Sequence, residues 1–426
     1  MVGGMSSQLR NGERNVLMDR KKILFLTTQV VVPPTDGGKQ GIYYRVRAIA
    51  EKQTTLLVMF NHGGTKDALK KSKPYFPDAM NIFLIEPFQR DVKGASWYYK
   101  IRWGISWLLG GRCRWEKLLS SQHIMDALMF EILENNIGTV VLEGPFAAAL
   151  LDVPQLKRKH IRIVLVEHNV EYKYFLESLK LPHWIAGLEA RRIYSMEKKI
   201  VKCADHTICI SPQDAHDLQK EFDTTSISYL PSVLPKKEKY WKTNASKTII
   251  FTGGLSFYPN LHGVMWMLKH VWSSFLENYP DYKLVITGKV NDTIKKKLAL
   301  YPNVEYSGFL SEEELERRMI GAQFAVVPII KGSGVKVKLL EALAYGMPIV
   351  TTEECHCGVW TMTKEEAPYM HTSDPQQFLR YMCRMASDVG VRESMGTTAR
   401  AFFEEMFASD ANVKQWVYVL NGEEEM

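Results

Sequence analysis

Short apolar runs alternate along this chain with longer stretches in which apolar residues recur every three or four positions. An uninterrupted apolar run, such as the one after Lys22, is typical of a strand buried on both faces of a parallel sheet. The amphipathic stretches between the runs are typical of helices that cover such a sheet. In the first half, this pattern predicts strands at 22–27, 56–60, 82–85, 140–143, 161–167 and 207–211, and helices at 40–51, 124–135, 188–202 and 214–222.

A second alternation begins after residues 231–247, which are rich in Pro, Lys, Ser and Asn and predict a linker. Ser311, with Glu314 three residues later, has the spacing of a helix capping box. Two alternations of strands and helices predict an α/β protein with two parallel-sheet domains. The strands predicted in the second half are 248–253, 283–287, 304–306, 325–327 and 348–352, and the helices are 263–278, 311–320, 375–388, 397–406 and 410–420.

A length of 426 residues is typical of two domains. The start of the chain is polar and lacks the apolar centre of a signal peptide. The sequence also contains no run of about 18 apolar residues, so it predicts no membrane span. The six scattered cysteines are expected to be reduced thiols in the cytoplasm. We predict a disordered tail at 1–19, an N-terminal domain at 20–230, a linker at 231–247, a C-terminal domain at 248–400 and C-terminal helices at 401–426.

Charge is divided unevenly between the two halves. Residues 20–240 contain 33 Lys and Arg against 23 Asp and Glu, whereas residues 241–426 contain 19 against 22. A basic first half favours an anionic partner for that half, and nucleic acid, a membrane surface and a phosphorylated lipid all meet this description.

Residues 90–117 combine basic and aromatic side chains at short intervals. This mixture is typical of a helix at a membrane interface, of a surface that stacks on nucleic-acid bases, or of two ordinary helices whose aromatics pack in the core. The residues are Arg90, Lys93, Trp97, Tyr98, Tyr99, Lys100, Arg102, Trp103, Trp107, Arg112, Arg114, Trp115 and Lys117.

The stretch 330–350 carries the most specific chemistry. A Gly-Ser-Gly turn at 332–334 follows a predicted strand and precedes a helix predicted from Val335. Bare backbone N–H groups at a helix start, beside Lys336 and Lys338, suit a diphosphate. Glu341, deeper along the helix, can accept hydrogen bonds from a ribose. The turn is not a Walker A loop, because no Gly-Lys-Ser or Gly-Lys-Thr closes it.

Other glycine turns also follow predicted strands. Glycine lets the backbone pass close to a ligand, although the same turns are ordinary punctuation in an α/β domain. Cys355-His356-Cys357 lacks the spacing of a zinc site, and we expect no metal. The further turns are Gly37–Gly38, Gly253–Gly254, Gly288 and Gly308–Phe309.

These blocks, in this order, resemble the GT-B glycosyltransferases, specifically the retaining family 4 (glycosyl transferases group 1), over about residues 20–420. The resemblance implies two Rossmann-like parallel-sheet domains facing a cleft, with a C-terminal helix that crosses back. It implies transfer of a sugar, with retention, from a nucleotide-diphosphate sugar to a hydroxyl of a glycan or lipid-linked acceptor. Capsule, exopolysaccharide or cell-envelope glycan synthesis is the expected setting, in the cytoplasm or at the inner face of the membrane, with no metal or other cofactor. Given this resemblance, peripheral contact of residues 90–117 with an anionic membrane is favoured over nucleic-acid binding.

The resemblance also assigns roles to residues. Glu341 is expected to bind the ribose, and Lys338 and then Lys336 the diphosphate. His168 belongs to a His-Asn-x-Glu-Tyr block and is expected to donate to a sugar hydroxyl or a phosphate; Glu143, at another strand end, is a candidate acceptor contact. The catalytic set is therefore Glu341, Lys338 and His168. The donor is expected to lie against Gly37, Gly38, Gly253, Gly254, Gly288, Gly308, Phe309, Gly332, Ser333, Gly334, Val335 and Lys336.

Ser333 departs from the family pattern, because many members have an acidic residue there that contacts the sugar. The motif therefore gives no indication of which sugar is transferred. A nucleotide-sugar epimerase of the same fold and a catalytically inactive scaffold are alternatives. A nucleic-acid-binding protein is a third, disfavoured by the acidic second half and by the lack of any recognised binding module.

Overall fold

The computed structural model describes residues 22–61, 66–78, 80–86, 97–178, 182–332, 334–359 and 367–423. The predicted tail at 1–19 lies outside these residues, as do residues 90–96 of the basic aromatic stretch. The chain divides by its contacts into two compact units. The first unit comprises the chain up to Ile210, Ala215–Val233 and Asp410–Met426, and the second comprises Ser211–Asp214 and Leu234–Ser409.

Among the described residues, seven parallel strands form the sheet of the first unit. They are β1 (Lys22–Thr27), β2 (Thr55–Phe60), β3 (Asn81–Ile85), β4 (Ile137–Glu143), β5 (Arg162–Glu167), β6 (His206–Cys209) and β7 (Ile227–Tyr229). Their spatial order is β3-β2-β1-β4-β5-β6-β7. Every residue of β2 is buried, as an apolar run covered on both faces requires. The order reverses between β1 and β4, and doubly wound sheets bind ligands beyond the carboxyl ends of such a strand pair.

Helices of the N-terminal half cover this sheet. Leu128 and Ile132 of one helix pack in the same core as Leu26 and Leu142 of the strands, which is the apolar stripe that the sequence pattern predicts. The helices are α1 (Gly37–Ala50), α2 (Ala68–Ser72), α3 (Trp97–Leu109), α4 (Arg114–Leu119), α5 (Gln122–Glu134), α6 (Val153–Arg158), α7 (Glu171–Ser178), α8 (His183–Cys203) and α9 (Pro212–Phe222), with 3-10 turns at Lys73–Tyr75 and Pro145–Leu150.

Six parallel strands form the sheet of the second unit. They are β8 (Thr248–Phe251), β9 (Lys283–Thr287), β10 (Val304–Gly308), β11 (Phe324–Val327), β12 (Ile349–Thr351) and β13 (Met370–His371). Their order is β10-β9-β8-β11-β12-β13, so the reversal lies between β8 and β11. The two sheets therefore have the same topology over six strands, as the repeated alternation in the sequence predicts.

The helices of the C-terminal half begin with α10, which starts five residues earlier than predicted. Pro259 stands in its first turn, where proline's fixed φ suits a helix start. The capping box at Ser311 and Glu314 is confirmed, with both of its hydrogen bonds present. The helices are α10 (Tyr258–Met267), α11 (Ser273–Asn278), α12 (Asp292–Leu298), α13 (Glu312–Gly321), α14 (Val337–Ala344), α15 (Glu353–Cys357), α16 (Pro375–Ser387), α17 (Val389–Met406) and α18 (Asp410–Asn421); a π-helix, Leu268–Trp272, joins α10 to α11.

The C-terminal helix α18 belongs to the first unit, although residues of the second unit precede it in sequence. Trp416 is fully buried, and its indole Nε1 donates to the carbonyl oxygen of Pro231 at 2.8 Å. The return begins at Asp410 and not at the predicted residue 401, because α17 continues unbroken to Met406 within the second unit.

Much of the predicted linker, 231–247, is packed against protein. Trp241 is buried, and its Nε1 donates to the carbonyl oxygen of Ala322 at 2.8 Å. Its backbone N–H donates to the carbonyl oxygen of Tyr345 at 2.7 Å. Residues from Leu234 onward therefore belong to the second unit, and the composition of the segment indicated a loop without showing that one aromatic anchors it.

Trp416→Ala is expected to lower the free energy of unfolding of the first unit by about 3–5 kcal/mol, because it removes a fully buried indole and its hydrogen bond. Gln415→Ala, on the exposed face of the same helix, is the matched control and should change stability by less than about 0.5 kcal/mol. Urea unfolding followed by circular dichroism measures both variants. Equal stability of Trp416→Ala and the wild type would contradict the packing of α18.

Candidate functional site

The carboxyl ends of β8 and β11 lie side by side where the strand order of the second sheet reverses. β8 leads into Gly253 and Gly254, and β11 leads towards the turn at 332–334, of which Gly332 and Gly334 are described. Ligands of doubly wound sheets bind beyond such an edge. The structure therefore brings together the glycine turns that the sequence marked separately in this half of the chain.

Glycines at the ends of β8 and β9 allow backbone to touch backbone. Gly288 has a φ of +101°, and a Cβ there would lie 2.6 Å from the amide nitrogen of Gly254. Gly253 has a φ of +133°, and its Cβ would lie 2.8 Å from Nδ2 of Asn260 and 3.2 Å from Cε of Lys338. Only glycine meets both demands. The close approach is thus to protein, and it brings two polar side chains against the turn.

Lys336 braces the Gly-Ser-Gly turn. Its Nζ donates to the carbonyl oxygens of Gly332 at 2.6 Å and Gly334 at 2.8 Å, and lies 3.5 Å from a carboxylate oxygen of Glu354. The backbone of Lys336 is extended, so α14 starts at Val337 and not at the predicted residue 335. Because the loop itself engages this ammonium, the predicted contact with a diphosphate falls mainly to the next lysine.

Lys338 is a cation without a partner in the first turn of α14. Within the described residues, its ammonium makes neither a hydrogen bond nor an ion pair. Burial lowers the pKa of Lys338 to about 8; Lys336 acts in the same direction, and Cys355 and Glu341 oppose it. A partly buried cation that forms no ion pair gains from a bound anion. The arrangement is therefore suited to an anionic ligand.

Glu341 lies one helical turn beyond Lys338 and accepts a hydrogen bond from the hydroxyl of Thr252 at 3.2 Å. Burial raises the pKa of Glu341, against the opposing effects of Lys237, the Thr252 hydroxyl and Lys338. The ammonium of Lys237 lies 4.9 Å from the ring centre of Tyr345. Thr252 and Lys237 were not predicted as site residues. Lys237 had no local signal, since it stands in the lysine-rich segment interpreted as a linker.

The turn after β10 extends the same edge. Gly308 has a φ of +76°, and its carbonyl oxygen accepts from the N–H of Gly288 at 2.7 Å. Phe309 is 66% exposed, with the ammonium of Lys289 at 5.8 Å from its ring centre. The residues predicted to lie near a nucleobase are thus neighbours, and one of them presents an open aromatic ring.

Gly37 and Gly38, in the first unit, form the start of α1. The Asp36 carboxylate caps this helix and accepts from the N–H of Lys39 at 3.0 Å. A Cβ on Gly38 would meet its nearest neighbour at 3.6 Å, so the protein itself does not require glycine at that position. The acidic cap already occupies part of the helix start, which leaves fewer free N–H groups for an anion than the sequence indicated.

His168 follows β5 directly, and its Nε2 lies 2.8 Å from Oε2 of Glu143, the last residue of β4. The same carboxylate pairs with Arg45 of α1, and both of these side chains are fully buried. Burial acts to raise the pKa of Glu143, but Arg45 and His168 outweigh it and hold that pKa below its ordinary value. Arg45 was missed, because in sequence it is one polar residue within an amphipathic helix.

The described part of the basic aromatic stretch divides into two faces. Trp107 is buried and donates to Glu189 at 2.7 Å, and the ring of Trp115 lies 5.7 Å from that of Phe146, so these aromatics pack against protein. The other face of α3 is open to solvent. We call it the α3 apolar face; its exposed side chains are Trp97, Ile101, Ile105, Leu108 and Leu109. None of the helices in the described ranges is long and apolar enough to span a membrane.

Cys355, His356 and Cys357 were judged unlike a zinc site. Cys355 is buried, and the ring of His356 stacks on that of His371 at 3.7 Å. A search of the residues that the structure describes finds no group of three His, Cys, Asp or Glu side chains able to hold a metal ion.

A family model and a bacterial relative match this chain by sequence. The family model described as "Glycosyl transferases group 1" matches residues 246–388, which is most of the second unit. A protein of Klebsiella pneumoniae, described as an uncharacterized 44.6 kDa protein in the cps region, is 24% identical over 378 residues. That alignment covers 82% of this chain and 93% of the relative.

Solved structures extend the similarity to nearly the whole chain. Sucrose-phosphate synthase from Thermosynechococcus elongatus has a TM-score of 0.68 at 15% identity, covering 95% of this chain and 99% of that one. TarM of S. aureus, solved with fondaparinux, alpha-GlcNAc-glycerol and UDP, has a TM-score of 0.66 at 10% identity, covering 94% and 99%. These similarities confirm the predicted two-domain α/β GT-B fold. The match to the family model, over residues 246–388, supports a glycosyltransferase.

Lys338→Met is expected to remove a pH dependence of stability. With its pKa lowered to about 8, the folded lysine loses its proton before an unfolded one, which titrates near pH 10.4. Between these values the unfolded chain binds more protons, so wild-type stability rises with pH relative to the variant, by at most about 1.4 kcal/mol per pH unit. Below pH 8 the difference between the two proteins should be constant.

Urea unfolding of the wild type, Lys338→Met and the exposed-lysine control Lys297→Met at pH values from 7 to 10 measures this difference. The control should follow the wild type at every pH. Parallel curves for the wild type and Lys338→Met would contradict the buried state of the ammonium.

Proposed function

We propose that this chain is a retaining glycosyltransferase whose nucleotide-diphosphate sugar binds at the carboxyl edge of the second sheet. One observation carries the proposal: an unpaired, desolvated ammonium at a helix start, Lys338, lies one turn from a carboxylate, Glu341, oriented by Thr252. A nucleotide presents a diphosphate and a ribose diol, and an ammonium at a helix start and a carboxylate bind these two groups respectively. The family model covers the same residues.

The catalytic contribution we assign to this edge is electrostatic. When the bond between the sugar and the diphosphate breaks, negative charge grows on the leaving oxygens. Lys338 and the amides at the start of α14 are fixed before the reaction, so they stabilise this charge without reorganising. Lys336 acts indirectly, by holding the turn through Gly332 and Gly334. The leaving phosphate takes the proton of the acceptor hydroxyl, and we assign no side chain as the base.

We propose that the donor is a UDP-sugar and that the reaction is one step in the synthesis of a capsule polysaccharide. TarM, which has a similar fold, was solved with UDP. The relative in Klebsiella pneumoniae is described by its place in the cps region. The open ring of Phe309 at the same edge offers a face for a base.

We also propose that the α3 apolar face rests on an anionic bilayer, where a lipid-linked acceptor would be found. Large apolar side chains exposed together on one helix face indicate an interaction surface. Residues 97–115 contain no Asp or Glu; the exposed cations Arg102 and Arg112 lie in α3 and in the turn after it, and Arg114 begins α4. An exposed apolar face with cations in the same segment complements an anionic lipid surface.

A panel of UDP-, GDP-, ADP- and dTDP-sugars tests the donor site through the melting temperature. A ligand at a hundred times its Kd stabilises the native state by about 2.7 kcal/mol, and we expect the UDP-sugars to give the largest shift. Glu341→Ala should lower kcat/KM about 10- to 150-fold, as expected for lost hydrogen bonds to a charged group worth about 1.5–3 kcal/mol. Glu312→Ala, on the exposed first turn of α13, is the control.

Full activity of Glu341→Ala would refute the site assignment. Conversion of a nucleotide sugar to its epimer in the absence of any acceptor would show that the enzyme is an epimerase and not a transferase. Product analysis by NMR of the anomeric proton decides between retention and inversion.

Ile101→Asp/Ile105→Asp is expected to reduce binding to vesicles that contain anionic phosphatidylglycerol about tenfold or more, because both changes place carboxylates on the α3 apolar face. Leu300→Asp is the control, since Leu300 is an apolar residue of the second unit that is more exposed (81%) than Ile101 (41%) and Ile105 (55%). Vesicle co-sedimentation at low and high salt measures binding. Equal binding of the wild type and the double variant would exclude this face as the membrane contact.

A further inference from the structure

Arg45 and Glu143 form an ion pair inside the first unit, and both side chains are fully buried. The pair is incompletely satisfied, because within the described residues Nε and Nη1 of Arg45 and Oε1 of Glu143 have no hydrogen-bond partner. A buried ion pair in this state stabilises a fold no better than apolar side chains of similar size. The ion pair is therefore expected to act through His168, which Glu143 also contacts.

Glu143 determines which ring nitrogen of His168 carries the hydrogen. Although burial acts to raise the pKa of Glu143, the adjacent Arg45 and His168 keep it below its ordinary value. The carboxylate is thus ionised near neutral pH and can only accept. Nε2 of His168 lies 2.8 Å from Oε2 of Glu143 and must therefore be the donor. In the neutral ring, Nδ1 then holds the lone pair.

The rest of the imidazole is available to a ligand. The side chain of His168 is 15% exposed, and since Nε2 faces a fully buried carboxylate, the exposed part of the ring is the part away from Nε2. Glu143 is its only hydrogen-bond partner in the part of the chain that the structure describes. His168 directly follows β5, the second strand from the β1/β4 reversal, at the edge where such sheets bind ligands.

The C-terminal helix holds the arginine from its other side. The guanidinium of Arg45 lies 4.7 Å from the ring centre of Trp416, close enough for a cation–π contact. Trp416 is itself fixed by the hydrogen bond of its Nε1 to Pro231. Arg45 is therefore held between an indole and a carboxylate, and the carboxylate is held against His168.

We propose that Arg45 and Glu143 are positioning residues that keep His168 in the Nε2–H tautomer and so present Nδ1 as a hydrogen-bond acceptor to a sugar hydroxyl. The sugar part of this statement rests on the proposed function, whereas the tautomer part does not. The direction is opposite to the sequence-based expectation, in which His168 donates to a hydroxyl or a phosphate. A neutral ring with its lone pair outward accepts from a hydroxyl and has no hydrogen there for a phosphate.

Selective 15N-histidine labelling tests the tautomer. At pH 8.5 the wild type should show His168 with a pyrrole-type Nε2 and a pyridine-type Nδ1, the signals being assigned by their loss in His168→Gln. Arg45→Met/Glu143→Leu removes both charges together, so neither is left buried alone. In this variant the two nitrogen shifts should move towards each other, as expected for exchange between tautomers.

His206, whose Nε2 lies 2.8 Å from the Ser228 hydroxyl in the same unit, is the internal control and should not change. A pyridine-type Nε2, a ring protonated on both nitrogens at pH 8.5, or identical His168 shifts in the wild type and the double variant would each overturn the positioning role.

The hydroxyl part is tested by comparing glucose with UDP. His168→Phe should weaken binding of glucose about 2- to 12-fold, as expected for one hydrogen bond, and leave the affinity for UDP unchanged. Equal loss for both ligands, or loss for neither, would overturn the contact with the sugar. A wild-type protein that binds neither ligand would instead count against the proposed donor, and the tautomer result would be unaffected.

Discussion

The site in the second unit depends on the contact between backbones where β8 and β9 end. Gly288 lets the turn after β9 touch the amide of Gly254, and Gly253 leaves room for the Lys338 stem. A side chain at Gly253 or Gly288 would force the turns or the lysine apart and admit water. The close packing at Gly253 therefore contributes to the burial that lowers the pKa of Lys338. Gly253, which need not contact a ligand, thus helps to bury the ammonium that makes the site suitable for an anion.

The two units treat buried charge in opposite ways. In the second unit, the loop's own carbonyl oxygens satisfy Lys336, while Lys338 makes neither a hydrogen bond nor an ion pair within the described residues. In the first unit, the charges of Arg45 and Glu143 compensate each other, and the Glu143 carboxylate orients the ring of His168. An uncompensated charge is a place for a ligand, whereas a compensated pair is a rigid support. Charged residues thus divide into those that meet a ligand and those that fix the geometry around it.

Sequence pattern was sufficient wherever the signal is local. The runs at 22–27 and 283–287 gave β1 and β9 with their correct bounds, because strands buried on both faces consist of continuous apolar residues. The edge strands β7 and β13 were not predicted, since three and two residues are too few to show a pattern. Glycine turns at strand ends are likewise local, and the predicted turns of the second unit meet at one edge.

What the sequence did not reveal arises from contacts between distant residues. Arg45 and Glu143 are 98 positions apart, and no periodicity marks an arginine on a helix as the partner of one carboxylate. The same holds for Trp97 and Trp107, which share α3 and a residue type. One is exposed and the other is buried against Glu189, because only the packing of α3 decides which side of the helix is covered.

The order of the chain adds a constraint on the first unit. Its sheet is complete at β7, but the indole over Arg45 comes from α18, and residues 234–409 of the second unit lie between them. The contact with Trp416 cannot form before that helix has been synthesised. Until then one face of the Arg45 guanidinium lacks its cover, so the surroundings that fix Glu143 and His168 are incomplete. The last helix is therefore part of the support of His168 as well as of the fold.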